Sequence, residues 1–236
     1  MATVGERLAR VDWAAVARSL DERGYATTPA LLDARECAGL ARLFDDDRRF
    51  RTRIDMARYR FGVGEYKYFA EPLPKVVATL RTRVYAKLAP VANRWMEALE
   101  AAERYPATLA AYLAECAAAK QTRPTPLLLR YTAGGYNCLH QYLYGPLHFP
   151  LQLTCALSRL GEDYTGGEIL LVEQRPRAQS RGEVVVLRQG EAVIFATRDR
   201  PVAGSRGYYR ATIRHGVSRL TSGERMTLGV IFHNAT

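Results

Sequence analysis

The sequence predicts an α+β fold in which N-terminal helices buttress a jelly roll, a cupin-like double-stranded β-helix. Residues 1–122 carry apolar side chains mainly at helical spacing, whereas residues 123–236 carry short β-type runs separated by glycine-rich turns. With 236 residues, the chain is long enough to bury a sizeable core. We expect a single domain, 1–236, because no repeat, low-complexity segment or flexible linker interrupts the pattern.

The helices of the first half are predicted from capping residues and apolar spacing. Asp12 as N-cap and Gly24 as a stop bracket a short amphipathic helix. Residues 33–36 match a capping box that opens a second helix. Apolar side chains over 77–99 indicate the longest helical region. Pro90 is expected to kink or divide that region, because proline lacks the backbone N–H.

A further helical stretch at 109–116 and a turn-rich segment at 121–126 precede a change of pattern. Short apolar runs bounded by turn residues then predict strands, as in a double-sheet jelly roll. Residues 61–69 also alternate aromatic side chains in a strand-like way. The strands expected after residue 126 are 127–132, 149–158, 168–173, 184–187, 192–197, 208–214 and 226–233.

Composition indicates an ordinary globular protein, with 48% hydrophobic and 25% charged residues. The formal charge of +10 favours polyanions or acidic substrates by steering, without defining specificity. No apolar run approaches the roughly 20 residues of a membrane span, and no signal sequence is recognisable, so we expect a cytoplasmic protein without a membrane partner. Cys37, Cys116, Cys138 and Cys155 lack CxxC spacing and are expected to be reduced, buried thiols.

Two histidines that are distant in the chain provide the strongest functional signal. His140 alone would be consistent with a hydrogen-bonded residue at the end of a strand. Its combination with His215, followed by Arg225 and Thr227, favours half of a metal site beside a carboxylate pocket. In an extended strand, residues two apart point to one face, so the guanidinium and the hydroxyl could receive one carboxylate together. This constellation predicts a site for iron and 2-oxoglutarate.

Other potential sites are interpreted as structural. His148 and His233 lie among apolar neighbours, where a hydrogen-bonding role is expected. The run 45–47 of three Asp residues is interpreted as a solvated helix end. The GxG at 62–64 has no following helix to receive a phosphate, which excludes nucleotide binding. Without a carboxylate cluster or a phosphate loop, the sequence does not support nuclease or phosphotransferase activity.

The stretch 61–235 resembles the Oxygenase-NA family of the Fe(II)/2-oxoglutarate oxygenases. The segments that carry this resemblance are 127–131, 136–145, 165–168, 173–177, 214–218, 225–227 and 232–233. The resemblance implies a non-haem iron dioxygenase that uses Fe(II), 2-oxoglutarate and O₂ to hydroxylate or otherwise oxidise a C–H bond. It implies that His140 and His215 bind the metal and that Arg225 and Thr227 bind 2-oxoglutarate. Tyr131 is either a further donor to this co-substrate or packing within the sandwich.

Tyr142 departs from the family pattern, which has an Asp two residues after the first His and thus a two-His-one-carboxylate triad. Three consequences are open for the resulting His140/Tyr142/His215 site. The phenol binds the metal, which requires the metal to lower a pKa near 10. Alternatively it turns away and water, halide or another ligand takes the position, as in related halogenases with a small residue there. Finally, the replacement has impaired or redesigned a hydroxylase.

Asp163 and Glu168 are alternative sources of the carboxylate that the family's Asp provides. Glu168 belongs to the family's own Gly-Gly-Glu pattern, which coexists with that Asp, so we do not expect either to replace it.

An oxygenase acting on a small molecule is the leading hypothesis, and the oligomeric state is not predicted. The alternatives are a catalytically silent metal- or ligand-binding protein of the same fold and an oxidative demethylase of alkylated nucleic acid, the role implied by the family's name. Small amino acids, peptides and natural products are all consistent with the sequence. Six basic residues are candidates for substrate contact or for a solvated rim: Arg175, Arg177, Arg181, Arg206, Arg210 and Arg214.

Overall fold

The computed structural model describes residues 2–141 and 145–236. Its helices are α1 (Val4–Ala9), α2 (Trp13–Arg23), α3 (Ala34–Leu43), α4 (Lys75–Ala98) and α5 (Leu109–Ala118). Its strands are β1 (Tyr25–Thr28), β2 (Phe50–Asp55), β3 (Gly62–Val63), β4 (Glu65–Phe69), β5 (Leu127–Thr132), β6 (Tyr136–His140), β7 (Leu151–Ala156), β8 (Tyr164–Gly166), β9 (Ile169–Gln174), β10 (Arg181–Val185), β11 (Ala192–Ala196), β12 (Asp199–Gly204), β13 (Gly207–Val217) and β14 (Leu220–Val230).

The strands form two antiparallel sheets. Within the described residues, an eight-stranded sheet follows the order β1-β11-β7-β14-β5-β4-β2, with β8 also paired to β14. A six-stranded sheet follows the order β10-β9-β13-β6-β3, with β12 paired to β13. Neighbouring strands such as β5 and β14 are far apart in the chain, which is typical of a jelly roll. The predicted α+β fold with a jelly roll and buttressing helices is therefore confirmed.

The helices cover the sheets through apolar faces that the sequence already displays. Along α4, Val77, Leu80, Val84 and Leu88 are fully buried, and each such side chain contributes about 1.5–3 kcal/mol of burial free energy. This helix contacts α1 and strand β14, whereas α2 contacts β1 and β11. The core therefore continues from the helices into the eight-stranded sheet.

The helices end at the predicted caps, but Pro90 does not divide the longest helix. Asp12 caps α2, Gly24 ends it in the left-handed conformation, and Asp33 with Glu36 forms the expected capping box. Pro90 lies inside α4 without dividing it, since buried residues on both sides, including Leu88 and Val91, hold the helix against the core. Helix α1 was not predicted, although Thr3 and Glu6 form a capping box.

The expected division near residue 122 does not separate helices from sheets. Strands β1 to β4 belong to the first half of the chain. Strands β1, β3 and β4 pair with β11, β6 and β5 of the second half, and β2 pairs with β4. Strands β2, β6, β8 and β12 were not predicted, and β13 extends beyond its expected end, so that it includes His215. The short glycine-flanked strands lack the apolar run that identified the others.

The cysteines follow their prediction except at one position. Cys37, Cys116 and Cys155 are buried and free, whereas Cys138 is free but exposed. Cys138 lies on β6 and lines a cavity, so its side chain is accessible. The sequence around it gave no indication of this cavity. In the described part of the chain, no helix combines the length and apolar character that a membrane crossing needs.

Candidate functional site

Two histidines are brought together by strand register. His140 at the end of β6 is directly opposite His215 on β13, and their ring centroids are 4.2 Å apart. Residues opposite each other in an antiparallel pair project to the same face. Gly216 permits this approach, since a Cβ at that position would lie 2.7 Å from the carbonyl oxygen of Asn137. The two imidazoles are thus placed close enough to share a small ligand.

Burial keeps both imidazoles in the form that binds metals. It lowers the pKa of His140, although hydrogen bonds to the backbone of Cys138 and His215 act in the opposite direction. Burial also lowers the pKa of His215 well below its usual range, and the nearby His140 adds to this effect. Nδ1 of His140 lies 2.8 Å from the Cys138 carbonyl oxygen, so Nδ1–H donates there and Nε2 keeps its lone pair. Neutral imidazole is the metal-binding form.

Arg225 is a buried cation that has unused donors. It lies on β14, is 3% exposed, and its Nε and Nη1 have no hydrogen-bond partner among the described residues. Its guanidinium carbon lies 5.7 Å from the ring centroid of Tyr131 and 6.0 Å from that of Tyr164. Gly167 makes room for it, because a Cβ there would lie 3.0 Å from Arg225 Cδ. Buried donors without an acceptor are costly, so these two nitrogens indicate a site for an anion.

Tyr131 and Thr227 lie beside Arg225. Tyr131 is directly opposite Arg225 across β5 and β14, fully buried, and its hydroxyl accepts a hydrogen bond from Asn137 Nδ2 at 3.3 Å. Burial raises the pKa of Tyr131 to about 12, against the opposing effects of Arg225 and Asn137. Thr227 is also buried, two residues after Arg225 on the same strand. Tyr131 therefore stays a neutral phenol that can donate to an anion.

These residues share one cavity of about 340 Å³ between the two sheets. Leu127, Leu129, Ile169 and Phe195 contribute apolar walls. The predicted site residues that line the cavity are Tyr131, His140, His215, Arg225 and Thr227. Apolar walls lower the local dielectric constant and so strengthen hydrogen bonds and ion pairs formed inside the cavity.

Tyr142, predicted as a metal ligand, lies outside the described residues. Within the described ranges, no group of three or more His, Cys, Asp or Glu side chains is arranged to hold a metal. Ser218 donates a hydrogen bond to Glu168, and Arg159 binds Asp163 in an ion pair of 2.8 Å. Both carboxylates thus have other partners, in agreement with the expectation that they do not replace the family's Asp.

The remaining predicted residues lie away from the cavity. Arg175 and Arg210 form ion pairs of 2.6 Å with Glu173 and Asp199, respectively, and the six candidate basic residues are all absent from the walls that the described residues form. His233 accepts a hydrogen bond from the backbone N–H of Phe149 at 3.1 Å, which is a structural role. These arginines contribute a charged surface instead of contacts inside the cavity.

Asn137 and Gln152, which line the cavity and contact predicted site residues, were not predicted. Gln152 on β7 reaches His215, and Asn137 on β6 reaches Tyr131. A signal was present for Gln152, because a polar residue in the middle of the apolar run 149–158 has to find a partner. Asn137 carried no comparable signal, since its strand was not predicted.

Three solved structures have a fold similar to that of this chain. The structure resembles a prolyl hydroxylase of Trichoplax adhaerens in complex with a hypoxia inducible factor peptide, with a TM-score of 0.58, 11% identity, and coverage of 93% of this chain and 87% of that one. A Pseudomonas putida prolyl-4-hydroxylase matches with a TM-score of 0.56, 15% identity, and coverage of 95% and 99%. A Burkholderia pseudomallei oxidoreductase of the 2OG-Fe(II) oxygenase family matches with a TM-score of 0.56, 15% identity, and coverage of 96% and 93%. The fold is therefore that of the 2-oxoglutarate and Fe(II)-dependent oxygenases.

Sequence comparison identifies the family within this class. Residues 64–235 match the model of Oxygenase-NA, described as an oxygenase catalysing oxidative methylation of damaged DNA. The chain belongs to the Oxygenase-NA family. Two uncharacterized proteins of Mycobacterium tuberculosis, from strains CDC 1551 / Oshkosh and ATCC 25618 / H37Rv, are each 51% identical over 167 residues, which is 71% of this chain and 72% of theirs.

The cavity fits the group that this family implies, an Fe(II) ion with 2-oxoglutarate. Two half-buried imidazoles with lowered pKa values suit a metal, and the unused N–H groups of Arg225 suit the distal carboxylate of a dicarboxylic acid. The third protein ligand of the family's site would come from position 142, which is outside the described residues.

Proposed function

We propose that this protein is a non-haem dioxygenase that uses Fe(II), 2-oxoglutarate and O₂ to oxidise a C–H bond of a small molecule. The observation that carries the proposal is Arg225, whose Nε and Nη1 have no partner in residues 2–141 and 145–236 although the residue is buried in the cavity of His140 and His215. An acidic ligand would satisfy those donors, and the adjacent imidazoles would hold a metal at its other end.

Each protein group has a defined role in this proposal. Arg225 receives the distal carboxylate of 2-oxoglutarate through its planar fork, and the hydroxyls of Thr227 and Tyr131 donate to the same group. His140 and His215 hold Fe(II) through neutral imidazole nitrogens. When bound, Fe(II) with 2-oxoglutarate and O₂ supplies the oxidation, in which 2-oxoglutarate loses CO₂ to become succinate. The apolar walls, including Ile169 and Phe195, exclude water from the reacting groups.

The proposal is tested by measuring ligand binding and succinate release for the unaltered protein and for two variants, one without a metal-binding histidine and one without the guanidinium that binds the anion. We expect the protein to bind Fe(II) and 2-oxoglutarate under nitrogen and to release succinate when O₂ is admitted. His215→Ala removes metal binding, whereas Arg225→Met keeps metal binding and loses 2-oxoglutarate. Binding of both ligands without succinate release would favour the silent ligand-binding protein, and failure to bind metal would contradict the proposal.

Tyr142 is proposed as the third metal ligand. Its phenol must lose a proton at a cost of about 1.36 kcal/mol per unit between its pKa and the ambient pH, whereas a carboxylate is already ionised. We therefore expect Tyr142→Asp to bind Fe(II) more tightly and to release succinate faster. A ferric sample of the unaltered protein should show a visible phenolate-to-metal band that Tyr142→Phe abolishes. Loss of an existing activity in Tyr142→Asp would contradict the expected gain, because Tyr142 would then belong to a working site with chemistry that the usual triad does not perform. Absence of the band would contradict Tyr142 as a metal ligand.

Oxidative demethylation of alkylated nucleic acid is a second candidate, supported by the rim of the cavity. Tyr59 and Phe61 are exposed and stacked, with ring centroids 5.6 Å apart, and Phe61 and Arg60 line the opening. Exposed aromatic side chains beside a cation can stack an extruded base. We expect an alkylated single-stranded oligonucleotide to bind more weakly to Phe61→Ala, and equal binding would favour a small-molecule substrate.

A further inference from the structure

Gln152 is a buried amide that reaches the metal-binding end of the cavity. It is 6% exposed, and its Nε2 lies 3.3 Å from Nε2 of His215. The side chain lines the cavity together with Thr154, two residues further along β7. With the amide nitrogen towards the ring, Gln152 donates to the lone pair of the imidazole.

That hydrogen bond is incompatible with a metal on the same nitrogen. Nδ1 of His140 donates to the Cys138 carbonyl oxygen, which leaves Nε2 of His140 for a metal. On His215, Nε2 is the nitrogen that contacts Gln152 in the cavity. Once a metal takes this second nitrogen, the Gln152 N–H loses its acceptor. A buried donor without a partner is unfavourable, so the amide needs a new acceptor inside the cavity.

Strand register places Gln152 and Arg225 towards opposite ends of the cavity wall. Arg225 and Gly229 lie on β14, and Gly229 is paired with Thr154 on β7. Gln152 therefore lies beyond this pair, away from Arg225 and beside His215. A dicarboxylic acid that binds both residues would extend along the cavity from Arg225 to Gln152.

The geometry points to Gln152 as the residue that binds the metal-proximal 2-oxo acid group of 2-oxoglutarate, by donating its Nε2–H to the 1-carboxylate. This inference rests on the proposed function. Metal binding then releases the amide from His215 and makes it available to the co-substrate, while Arg225 binds the distal carboxylate. Gln152 is a binding residue here and is not itself a metal ligand.

Calorimetry with Mn(II) and 2-oxoglutarate under nitrogen tests this assignment. Gln152→Met keeps the length of the side chain but removes the donor, and Gln189→Met makes the same change at a half-buried amide that donates to Leu157 O at 2.8 Å. We expect Gln152→Met to lower the 2-oxoglutarate affinity of the Mn(II)-loaded protein about tenfold or more, and to change the affinity for Mn(II) alone by less than about threefold. Gln189→Met should change neither.

The outcomes separate three cases. Unchanged 2-oxoglutarate affinity in Gln152→Met overturns the inference, and so does a changed Mn(II) affinity that accounts for the loss, because Gln152 would then act through His215. If the unaltered protein binds neither Mn(II) nor 2-oxoglutarate, the proposed function fails together with the inference. Should Gln152→Met not fold, Gln152→Glu decides, since an acceptor facing the 1-carboxylate should lower 2-oxoglutarate affinity at least as much, and unchanged affinity would refute the assignment.

Discussion

Arg200 and Arg225 are both buried arginines on strands of the jelly roll, yet their surroundings differ. Arg200 is 1% exposed; it donates to Glu173 at 2.6 Å and to the carbonyl oxygens of Asp21 and Glu22 at 2.9 and 3.1 Å. Arg225 is 3% exposed, and two of its nitrogens find no acceptor in the part of the chain that the structure describes. A buried cation satisfied by its own chain stabilises the fold, whereas one with unused donors is available to a ligand.

The largest effect is expected at the satisfied arginine. Arg200→Met leaves Glu173 buried without its main partner and should lower the free energy of unfolding by about 3–5 kcal/mol, as for other broken buried ion pairs. Thermal and urea unfolding measure this loss. The exposed Arg206→Met is the control and should stay within about 0.5 kcal/mol. A similarly small loss in Arg200→Met would remove the distinction between the two arginines.

Replacing Arg225, which has unused donors, should lower ligand affinity and leave stability unchanged. Arg225→Met should weaken 2-oxoglutarate binding by about 2 kcal/mol or more, because a buried charge-assisted fork is lost. The free energy of unfolding without ligand should not fall, since the variant removes two buried nitrogens that have no acceptor among the described residues. Calorimetry and urea unfolding test both parts. A destabilised variant with unchanged affinity would assign Arg225 a structural role like that of Arg200.

A smaller, pH-dependent effect should appear at Glu173, the carboxylate that Arg200 binds. Burial acts to raise the pKa of Glu173, but hydrogen bonds from Arg200 and Arg175 outweigh it and hold the pKa below its usual value. The carboxylate therefore contributes stability above the unfolded pKa of about 4.3, and this is lost as the pH falls through the lower folded value. Urea unfolding between about pH 6 and 2 should show this loss. Glu173→Gln should flatten the dependence, and an unchanged profile would contradict it.

Thr227 should show the smallest effect. Thr227→Val keeps the shape of a buried side chain and removes one hydroxyl donor beside Arg225. We expect 2-oxoglutarate affinity to fall by about 0.5–1.5 kcal/mol, the net value of one hydrogen bond. Calorimetry on the metal-loaded protein measures it, and an unchanged affinity would leave Arg225 and Tyr131 as the distal donors.

The fold was predictable where one local rule dominated. Asp12, Gly24 and the capping box at Asp33 gave helix ends within a residue, and the run 127–132 gave β5. Short strands such as β6 were not predicted, because their side chains are half exposed and their partners lie far away in the chain. Tertiary packing also carried α4 through Pro90 against its local preference.

The candidate site was only partly accessible to sequence reasoning. His140, His215, Arg225 and Thr227 could be predicted from their combination and spacing and from the resemblance to the Oxygenase-NA family. The sequence could not predict which polar atoms already have hydrogen-bond partners, because those partners depend on the register of strands that are distant in the chain. Gln152 became visible only after β7 and β13 were placed beside each other in space.

Because both histidines depend on the register of β6 and β13, ligand binding at the site should favour the native pairing of these two strands. His140 and His215 meet because these two strands pair in one alignment, and a one-residue slip would turn one imidazole to the opposite face. A ligand that needs both imidazoles binds only the correctly aligned chain and stabilises it by mass action. Metal supply would therefore influence how much protein reaches the native pairing, in addition to how much of it is active.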